Sequence, residues 1–458
     1  MATHAPEATS APSASNIVAR LERLPFTGFH LKARLIIGTA TFFDAFDALA
    51  IAYVLPVLIR MWKLTPLEIG NLISVGYVGQ LVGALFFGWL AERRGRMPAL
   101  QLSVALYSIF SFLAAFSWSY TSLFVFRSIQ GIGLGGEVPV AAAYISELSQ
   151  ARGRGRFVLL YEMAFSVGLV AAAFLGNLIV PTLGWQAMFL IGAVPALLVG
   201  AIRWMLPESP RWLANRNRLA EADTTVRAIE NQASRGGRVP LPPLPPVAVT
   251  LMAATRWREL FRGIYLQRTL AVWVMWFTSY FATYGLTTWL PSLYSSVFKL
   301  PLQQSLRYAL ITQAFGLVST VACALLIDRT GRKPWFTVAF FAGGILMIVL
   351  WWVGVTSPRE LLTLGTVAWM TFNSIALGLY VYSPEIYPTR MRALGSSAGT
   401  AWLRVASAIG PAVMGFVVGH ASLASAFLVI GGVLLIGGIV TAAFAMETRG
   451  RPLEELSP

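Results

Sequence analysis

The sequence is poor in cysteine and in charge. Its single cysteine, Cys323, permits no intramolecular disulfide, and nothing about redox compartment follows from it. Only 12% of the 458 residues are charged, whereas 56% are hydrophobic. The sequence also lacks a metal-ligand cluster, a nucleophile constellation and a phosphate-binding loop, so it predicts no metal, no cofactor and no enzyme. The Gly131-Ile-Gly133-Leu-Gly135 stretch is rejected as a dinucleotide fingerprint because it lies inside an apolar run without a preceding strand.

Long apolar runs take the place of charge. Each run is about 20 residues long, the length that a helix needs to cross a bilayer core. Strands of a membrane barrel would instead be short segments of alternating polarity. The sequence therefore predicts an all-α integral membrane protein with twelve transmembrane helices near 35–58, 67–90, 98–117, 121–145, 157–180, 184–206, 267–292, 305–328, 334–355, 360–383, 395–418 and 423–446.

The basic residues lie mainly on one side of these predicted spans. A net charge of +15 would suggest nucleic acid in a soluble chain, but here most Lys and Arg fall in alternate loops. The other side has few cations, namely Arg60, Lys63, Lys299, Arg307 and Arg359. The positive-inside rule then predicts a multi-pass protein of the inner (cytoplasmic) membrane, with both termini in the cytoplasm and no nucleic-acid partner.

One motif occurs twice, each time between two apolar runs. Gly88-Trp-Leu-Ala-Glu92-Arg93-Arg-Gly95-Arg96 returns as Ala324-Leu-Leu-Ile-Asp328-Arg329-Thr-Gly331-Arg332. Other pairs repeat with it: Glu147 and Arg152 match Glu385 and Arg390, and Pro207-Glu208-Ser matches Met446-Glu447-Thr. An acid and an arginine at helix ends can form an ion-pair network that holds one conformation. We interpret these residues as gates, the alternative being signals of topology alone.

The duplication predicts two similar six-helix bundles, residues 35–206 and 267–446. A cytoplasmic tail (1–34), too polar at its start for a signal peptide, precedes them. A charged cytoplasmic linker with short helices (207–266) joins them, and a second tail (447–458) follows. Two duplicated apolar halves suit a carrier in which a site at their interface opens to either side of the membrane.

The duplicated motif resembles that of the major facilitator superfamily. Further stretches resemble its sugar-porter and organic-ion branches, and Phe43-Asp44-Ala-Phe-Asp47, Gly155-Arg-Phe-Val-Leu-Leu-Tyr-Glu162 and Tyr284-Gly-Leu-Thr-Thr-Trp289-Leu-Pro291 resemble bacterial niacin transporters. The resemblance implies the twelve-helix major facilitator fold and small, often aromatic, ionised substrates. The sequence departs from the pattern at Glu92, where Asp is usual, at Ala324, where Gly is expected, and beside Glu162.

Ionisable side chains at bilayer depth are costly, so each is a functional candidate. Asp44 and Asp47 are one helical turn apart and share a face. The resemblance implies that Asp47 and Arg127 form a proton-sensitive pair and that Asp44 lines the cavity; a static ion pair is the alternative. Glu137 is a further proton-coupling candidate, with packing as its alternative, and Glu162 either faces the cavity or extends towards water.

Arg404 is the residue that indicates the charge of the substrate most directly. It lies too deep in its predicted helix to reach solvent comfortably, and a guanidinium offers a planar fork to a carboxylate. Trp276, Tyr280 and Tyr284 follow at four-residue spacing and suit a flat ring, although a packing stripe would look the same. The predicted substrate site also includes Asn373, Tyr380, Glu162 and Gln130.

The sequence thus predicts a proton-coupled importer, a symporter, of a small aromatic carboxylate. Nicotinate is the first candidate and a benzoate-like acid the second. An organic cation, which the four predicted intramembrane acids would suit, and a non-transporting membrane sensor are the alternatives. The predicted partners are the small-molecule substrate, protons and the lipid bilayer, and the protein is expected to act as a monomer.

Overall fold

The computed structural model describes residues 13–148, 154–234, 236–244, 257–388 and 391–449. We call the described residues up to 244 the first half and those from 257 the second half. The first half forms the helices α1 Ala14–Arg23, α2 Gly28–Trp62, α3 Pro66–Arg94, α4 Arg96–Ala115, α5 Tyr120–Leu148, α6 Arg154–Leu183, α7 Gln186–Gly192, α8 Ala196–Met205, α9 Pro210–Asn215 and α10 Leu219–Ala233. The second half forms a 3₁₀ helix Trp257–Phe261 and the helices α11 Ile264–Thr287, α12 Leu290–Ser296, α13 Leu302–Thr330, α14 Arg332–Val353, α15 Pro358–Glu385, α16 Arg392–His420 and α17 Leu423–Phe444.

Ten of the described helical segments are long and apolar enough to cross a membrane, if α7 and α8 are taken together. The two other predicted spans correspond to α5 and α11, which have 29 and 24 residues. Both carry buried polar side chains, such as Arg127 on α5 and Thr283 on α11, which lower their mean hydropathy. The all-α membrane fold is confirmed, and the count of twelve spans stays a prediction.

Several helices differ in extent from the predicted spans. The first predicted span, 35–58, is part of the longer α2, Gly28–Trp62. The sixth and seventh are each divided, α7 from α8 near Pro195 and α11 from α12 near Trp289. Helices α9 and α10 lie in the predicted linker. The predicted tails fall partly outside the described residues, at 1–12 and 450–458.

Close helix packing depends on glycine. On α3, a Cβ atom at Gly83 would lie only 1.9 Å from the Ile132 carbonyl oxygen of α5. The two halves meet in the same way: a Cβ at Gly70 of α3 would lie 2.7 Å from the Pro411 oxygen of α16, and one at Gly415 would lie 2.5 Å from the Pro66 oxygen. Small residues let membrane helices approach to backbone contact.

We call the membrane surface at the duplicated turns, residues 93–96 and 329–332, the motif face, and the opposite surface the far face. Because Pro66 begins α3 and α3 ends at the motif turn, the contacts of Gly70 and Gly415 lie at the far face. The side-chain bond of Arg60 with Ser295, 3.0 Å long, also joins the halves there. The two halves are therefore closed against each other at the far face.

Helix α1 is attached to the linker helix α10 by partly buried ion pairs. Arg20 forms salt bridges with Asp223 (2.5 Å) and Glu230 (2.6 Å), and Arg23 adds one of 2.6 Å with Glu230. Hydrogen bonds from Arg20 and Arg227 lower the pKa of Asp223. Burial tends to raise the pKa of Glu230, but the bonds from Arg20 and Arg23 outweigh burial and lower it.

We expect Arg20→Gln to weaken the docking of α1 by about 1.5–3 kcal/mol, the range for hydrogen bonds to charged groups. The pKa values of both carboxyls are lower when α1 is docked than when it is free, where they are about 4. The ion pairs therefore stabilise docking fully above about pH 4, and this stabilisation is lost as the pH falls through the lowered pKa values. Hydrogen exchange of the α1 amides between neutral and acid pH measures this. Arg227→Gln is the matched control, because the exposed side chain of Arg227 (65%) pairs with Asp223 within the linker helix α10. Equal exchange rates of the α1 amides in the two variants would contradict the docking role of Arg20.

Candidate functional site

Each copy of the duplicated motif forms the turn between two long helices, α3 to α4 and α13 to α14. The turn residue has a positive φ in both copies, 110° at Gly95 and 94° at Gly331, which favours glycine. A Cβ atom would also meet a carboxylate, lying 2.1 Å from Oε2 of Glu208 at Gly95 and 2.6 Å from Oε2 of Glu447 at Gly331. The motif glycines are thus required by the backbone and by the acid packed against them.

Arg96 organises the network of the first half. Its guanidinium forms salt bridges with Glu92 (2.7 Å) and Glu147 (2.8 Å). The Glu208 carboxylate accepts hydrogen bonds from the backbone N–H groups of Arg96 (2.9 Å) and Met97 (3.2 Å). These acceptors satisfy donors at the start of α4, where a helix dipole favours negative charge.

The second half repeats this network. Arg332 forms salt bridges with Asp328 (2.7 Å) and Glu385 (3.1 Å). The Glu447 carboxylate accepts hydrogen bonds of 3.1 Å from the N–H groups of Arg332 and Lys333. Each acid, arginine and capping glutamate therefore has its counterpart, and each network lies within one half.

Glu92 and Asp328 lie at the edge of these networks, with side chains 66% and 73% exposed. They are predicted to hold helix ends together on the cytoplasmic side in the outward-open state. In this conformation each forms a salt bridge with an arginine of its own half. Arg93 packs over the Trp89 ring at 4.8 Å, and Arg329 is exposed. The predicted gate residues Arg152 and Arg390 lie outside the described residues.

Asp47 is fully buried in the first half. Its Oδ1 accepts a hydrogen bond of 3.2 Å from Ser111, and its Oδ2 has no hydrogen-bond partner among the described residues. The chain makes room for the carboxylate at Gly192, where a Cβ atom would lie 2.0 Å from Oδ1. Sequence analysis did not single out Ser111 or Gly192, because a lone serine and a lone glycine in apolar helices carry no signal by themselves.

Arg127 lies beside Asp47 without forming a salt bridge to its carboxylate. The Arg127 guanidinium donates to the backbone oxygen of Asp47 (3.3 Å) and to Oε1 of Gln130 (2.9 Å). Gly76 leaves space for it, since a Cβ there would lie 3.0 Å from Nη2. The structure thus brings together the two residues of the predicted pair, but in this conformation they meet through backbone and amide groups.

Two further predicted acids lie in the first half. Glu137 is fully buried, and its Oε1 accepts a hydrogen bond of 2.8 Å from Thr41, whose hydroxyl lies 2.6 Å from that of Tyr161. Asp44 is 4% exposed and lies close enough to Tyr284 of the second half to interact with it electrostatically. Asp44 therefore faces the interface between the halves, whereas Glu137 packs within one of them.

Arg404 lies at this interface, at the middle of α16. Its Nη1 donates a hydrogen bond of 3.0 Å to Oε1 of Gln80 on α3, and no described residue forms a salt bridge with it. Tyr284, close enough to Arg404 for electrostatic interaction, packs against Tyr77 with ring centroids 4.7 Å apart. A cation and two aromatic rings from both halves thus meet near the middle of the long helices α3 and α16. Gln80 and Tyr77 were missed by sequence analysis, although both are polar side chains in an apolar run.

The other predicted substrate residues have different surroundings. Tyr280 links Tyr284 and Trp276, with centroids 5.9 and 5.5 Å away. Trp276 is fully buried and donates a 2.9 Å hydrogen bond to Ser383, so in this conformation it offers no surface to a ligand. Tyr380 packs edge-on against Trp276 and is 38% exposed.

Asn373 and Glu162 complete the predicted set. The Asn373 amide donates to the Gly316 oxygen (2.8 Å) and to Ser319 (3.0 Å), and so ties α15 to α13 within the second half. Glu162 lies in α6, but its side chain is outside the described part of the structure. Arg404, Tyr284, Asp44, Tyr77 and Gln80 are therefore the candidate residues that meet at the interface.

Two repeated helical bundles that enclose buried charges and aromatic rings where they meet define a membrane transporter. Comparison with known proteins agrees with this class. The family model for sugar (and other) transporters matches residues 37–458. The chain belongs to this family of the major facilitator superfamily, and it is a transporter rather than an enzyme.

Its relatives include bacterial proteins named as niacin transporters. The niacin transporter NiaP of Acinetobacter baylyi is 35% identical over 451 residues, covering 96% of this chain and 99% of that protein. The putative niacin/nicotinamide transporter NiaP of Bacillus subtilis is 29% identical over 421 residues, covering 92% and 96%. Among solved structures, the xylose transporter XylE from E. coli in a partially occluded inward-open conformation has a TM-score of 0.71 at 18% identity, covering 93% of this chain and 100% of that one. That likeness shows the fold.

Proposed function

We propose that the protein is a proton-coupled importer of a small aromatic carboxylate, with nicotinate as the first candidate. The observation that carries the proposal is the position of Arg404 at the interface of the halves, bonded to the neutral Gln80 and beside Tyr284. A cation at bilayer depth is costly unless it is paired or wetted. A substrate carboxylate would supply the missing negative charge.

The surroundings of Arg404 also suit the ring of such a substrate. A guanidinium binds a carboxylate through two parallel hydrogen bonds, which fixes the orientation of the acid. Tyr77 and Tyr284 then offer aromatic faces from opposite halves. The relative named as a niacin transporter supports an aromatic acid of this size.

Proton coupling rests on Asp47. A buried carboxylate without an ion-pair partner is costly when ionised, and Asp47 is fully buried with Oδ2 unpartnered among the described residues. A proton bound at Asp47 would remove this cost. We infer that protonation releases Arg127 to the backbone oxygen and to Gln130, as found here, and that deprotonation draws the guanidinium back to the carboxylate.

We infer from the positive-inside rule that the motif face, which carries the basic loops, is cytoplasmic. In that orientation both termini are cytoplasmic, and we infer that this conformation, closed at the far face, faces inward. Import then requires the reverse arrangement, in which the motif-face ends of the helices meet. We propose that the protein lies in the inner membrane, which its relatives named as bacterial transporters support. We also propose that it acts as a monomer, because the residues that meet at the site come from two halves of one chain.

A competition panel tests the substrate class. Uptake of labelled nicotinate into proteoliposomes should be inhibited by unlabelled nicotinate and, more weakly, by benzoate and 4-hydroxybenzoate. Nicotinamide and a small quaternary ammonium ion should have little effect, since neither carries a carboxylate for Arg404. Inhibition by the ammonium ion and not by the acids would favour the organic-cation alternative and reject this proposal.

The gate gives a separate prediction. Asp328→Asn should destabilise the outward-open state, in which cytoplasmic helix ends approach, more than the inward-facing conformation described here. In this conformation the Asp328 side chain is 73% exposed, so its salt bridge with Arg332 contributes little. An exposed ion pair contributes about 0.2–1 kcal/mol, so the populations should shift by up to about fivefold. Distances between spin labels on the motif-face ends of α3 and α16 report the shift. Glu221→Gln is the control, because Glu221 is an exposed acid of the linker that pairs with Arg218. Identical distance distributions in Asp328→Asn and wild type would mean that the motif determines topology and is not a gate.

A further inference from the structure

A small pocket lies at the far face, where the end of α2 meets the end of α12. Its volume is about 350 Å³, and it is lined by Ile59, Arg60, Lys63, Ser295, Ser296 and Lys299. The residues that line it include three cations and no acid. The pocket therefore gathers three of the five far-face cations, from two different halves, into one concave site.

The two lysines hold corresponding positions in the two halves. Lys63 and Lys299 precede the motif arginines Arg96 and Arg332, respectively, by the same number of residues. Both have left-handed backbones, with φ of 51° and 56°. This conformation is uncommon for a residue with a side chain. The repeated backbone geometry brings both lysines to the same pocket, one from each side of the closed interface.

The arginine of the pocket is held in place across the interface. Arg60 donates a hydrogen bond of 3.0 Å to Ser295, which is 3% exposed. Its charge is thus fixed at the pocket wall by a neutral partner. A concave site lined by charges of one sign concentrates counter-ions, by about tenfold or more. The chemistry that fits this pocket is a small anion.

We propose that this pocket is an outer collecting site for the carboxylate of the substrate, distinct from the site at Arg404. The proposal rests on the proposed import of an aromatic acid. The pocket enriches the anion at the closed far face. Because Lys63 and Lys299 belong to different halves, opening of the far face separates them, weakens the pocket and releases the anion towards the interior.

The potential of the pocket can be measured without transport. Ser296→Cys places a thiol in the pocket, and the native Cys323 is buried at 2% exposure. The ratio of its reaction rates with an anionic and a cationic methanethiosulfonate reagent reports the local potential. At about 0.01 M salt, we expect this ratio to fall about tenfold when Lys63→Gln and Lys299→Gln are added, and the difference to vanish near 1 M, where the Debye length is about 3 Å.

Matched variants separate charge from structure. Lys63→Arg with Lys299→Arg keeps both charges and should preserve the ratio. Arg307→Gln with Arg359→Gln removes two far-face charges outside the pocket and should also leave it unchanged. An equal ratio with and without the two lysines would overturn the proposal, as would an equal loss on removing Arg307 and Arg359.

Ligand protection identifies the anion. Nicotinate or benzoate should slow modification of the Ser296→Cys thiol, nicotinamide should not, and the lysine-to-glutamine pair should abolish the protection. Vesicles of phosphatidylcholine, with and without phosphatidylglycerol, distinguish a free carboxylate from a lipid headgroup. Protection by phosphatidylglycerol alone would assign the pocket to lipid and reject the collecting role.

Uptake then separates this inference from the proposed function. The lysine-to-glutamine pair should raise the KM for nicotinate severalfold at low salt and leave the maximal rate unchanged. Wild-type protein that takes up no nicotinate contradicts the proposed substrate, while thiol protection still decides whether the pocket binds carboxylates. Normal uptake with an unchanged KM and no thiol protection contradicts the collecting site alone.

Discussion

Arg404→Ala should weaken nicotinate binding by roughly 2–5 kcal/mol, or about 30-fold or more in affinity, because a desolvated carboxylate would lose its charged partner. Arg404→Lys should restore only part of the loss, since lysine lacks the planar fork of the guanidinium. Neutral nicotinamide, if it binds, should change little. Calorimetric titration of both ligands into the purified variants measures these differences.

Three variants test whether the effect belongs to the carboxylate. Gln80→Ala removes the neutral partner of Arg404 and should cost much less than Arg404→Ala. Tyr284→Ala should weaken both ligands, since contact with the ring does not depend on the acid. Arg359→Ala, an exposed arginine at the far face, should leave both affinities unchanged. Unaltered nicotinate affinity in Arg404→Ala would overturn the anion proposal and favour the cation alternative.

Asp47→Asn should abolish concentrative uptake in proteoliposomes while sparing exchange of labelled for unlabelled substrate. The asparagine is neutral in both orientations, so the carrier can change conformation but can no longer bind and release a proton. Uptake driven by an imposed pH gradient and exchange at equal pH measure the two activities separately.

Ser111→Ala is the matched control for Asp47→Asn. It removes the hydrogen bond to Oδ1 and keeps the carboxyl, so concentrative uptake should persist with an altered pH dependence. If uptake by the wild-type protein did not respond to an imposed pH gradient, proton coupling would be rejected altogether. Concentrative uptake by Asp47→Asn would move the proton site elsewhere, with Glu137 as the next candidate.

The fold could be predicted from the sequence because the sequence patterns that specify it are long and occur twice. Apolar runs of membrane length and a duplicated acid, glycine and arginine motif predicted the helices and the two parallel networks around Arg96 and Arg332. The motif glycines also have a local cause that a sequence can suggest, a positive φ at a tight turn. The breaks near Pro195 and Trp289 were not predicted, since hydropathy alone does not distinguish a continuous span from two shorter helices.

The candidate site could be predicted only in part from the sequence. A charge in an apolar run, such as Arg404 or Asp47, is visible in the sequence, because its burial is costly and needs a reason. Its partner is not visible, since Gln80 and Ser111 lie on other helices, far away in the chain. The state of the Asp47 and Arg127 pair also depends on conformation, which no single sequence pattern specifies.

The contact between Gly70, Pro411 and Gly415 at the far face has a consequence for the energetics of the transport cycle. The backbones touch there with no room for a side chain at either glycine, so the contact can exclude water and ions while forming few directed bonds. Parting such surfaces breaks little beyond dispersion and contact area. The closed far face is therefore impermeable to ions, yet its opening costs little free energy. Modest changes in binding and protonation then suffice to reverse the direction in which the carrier faces.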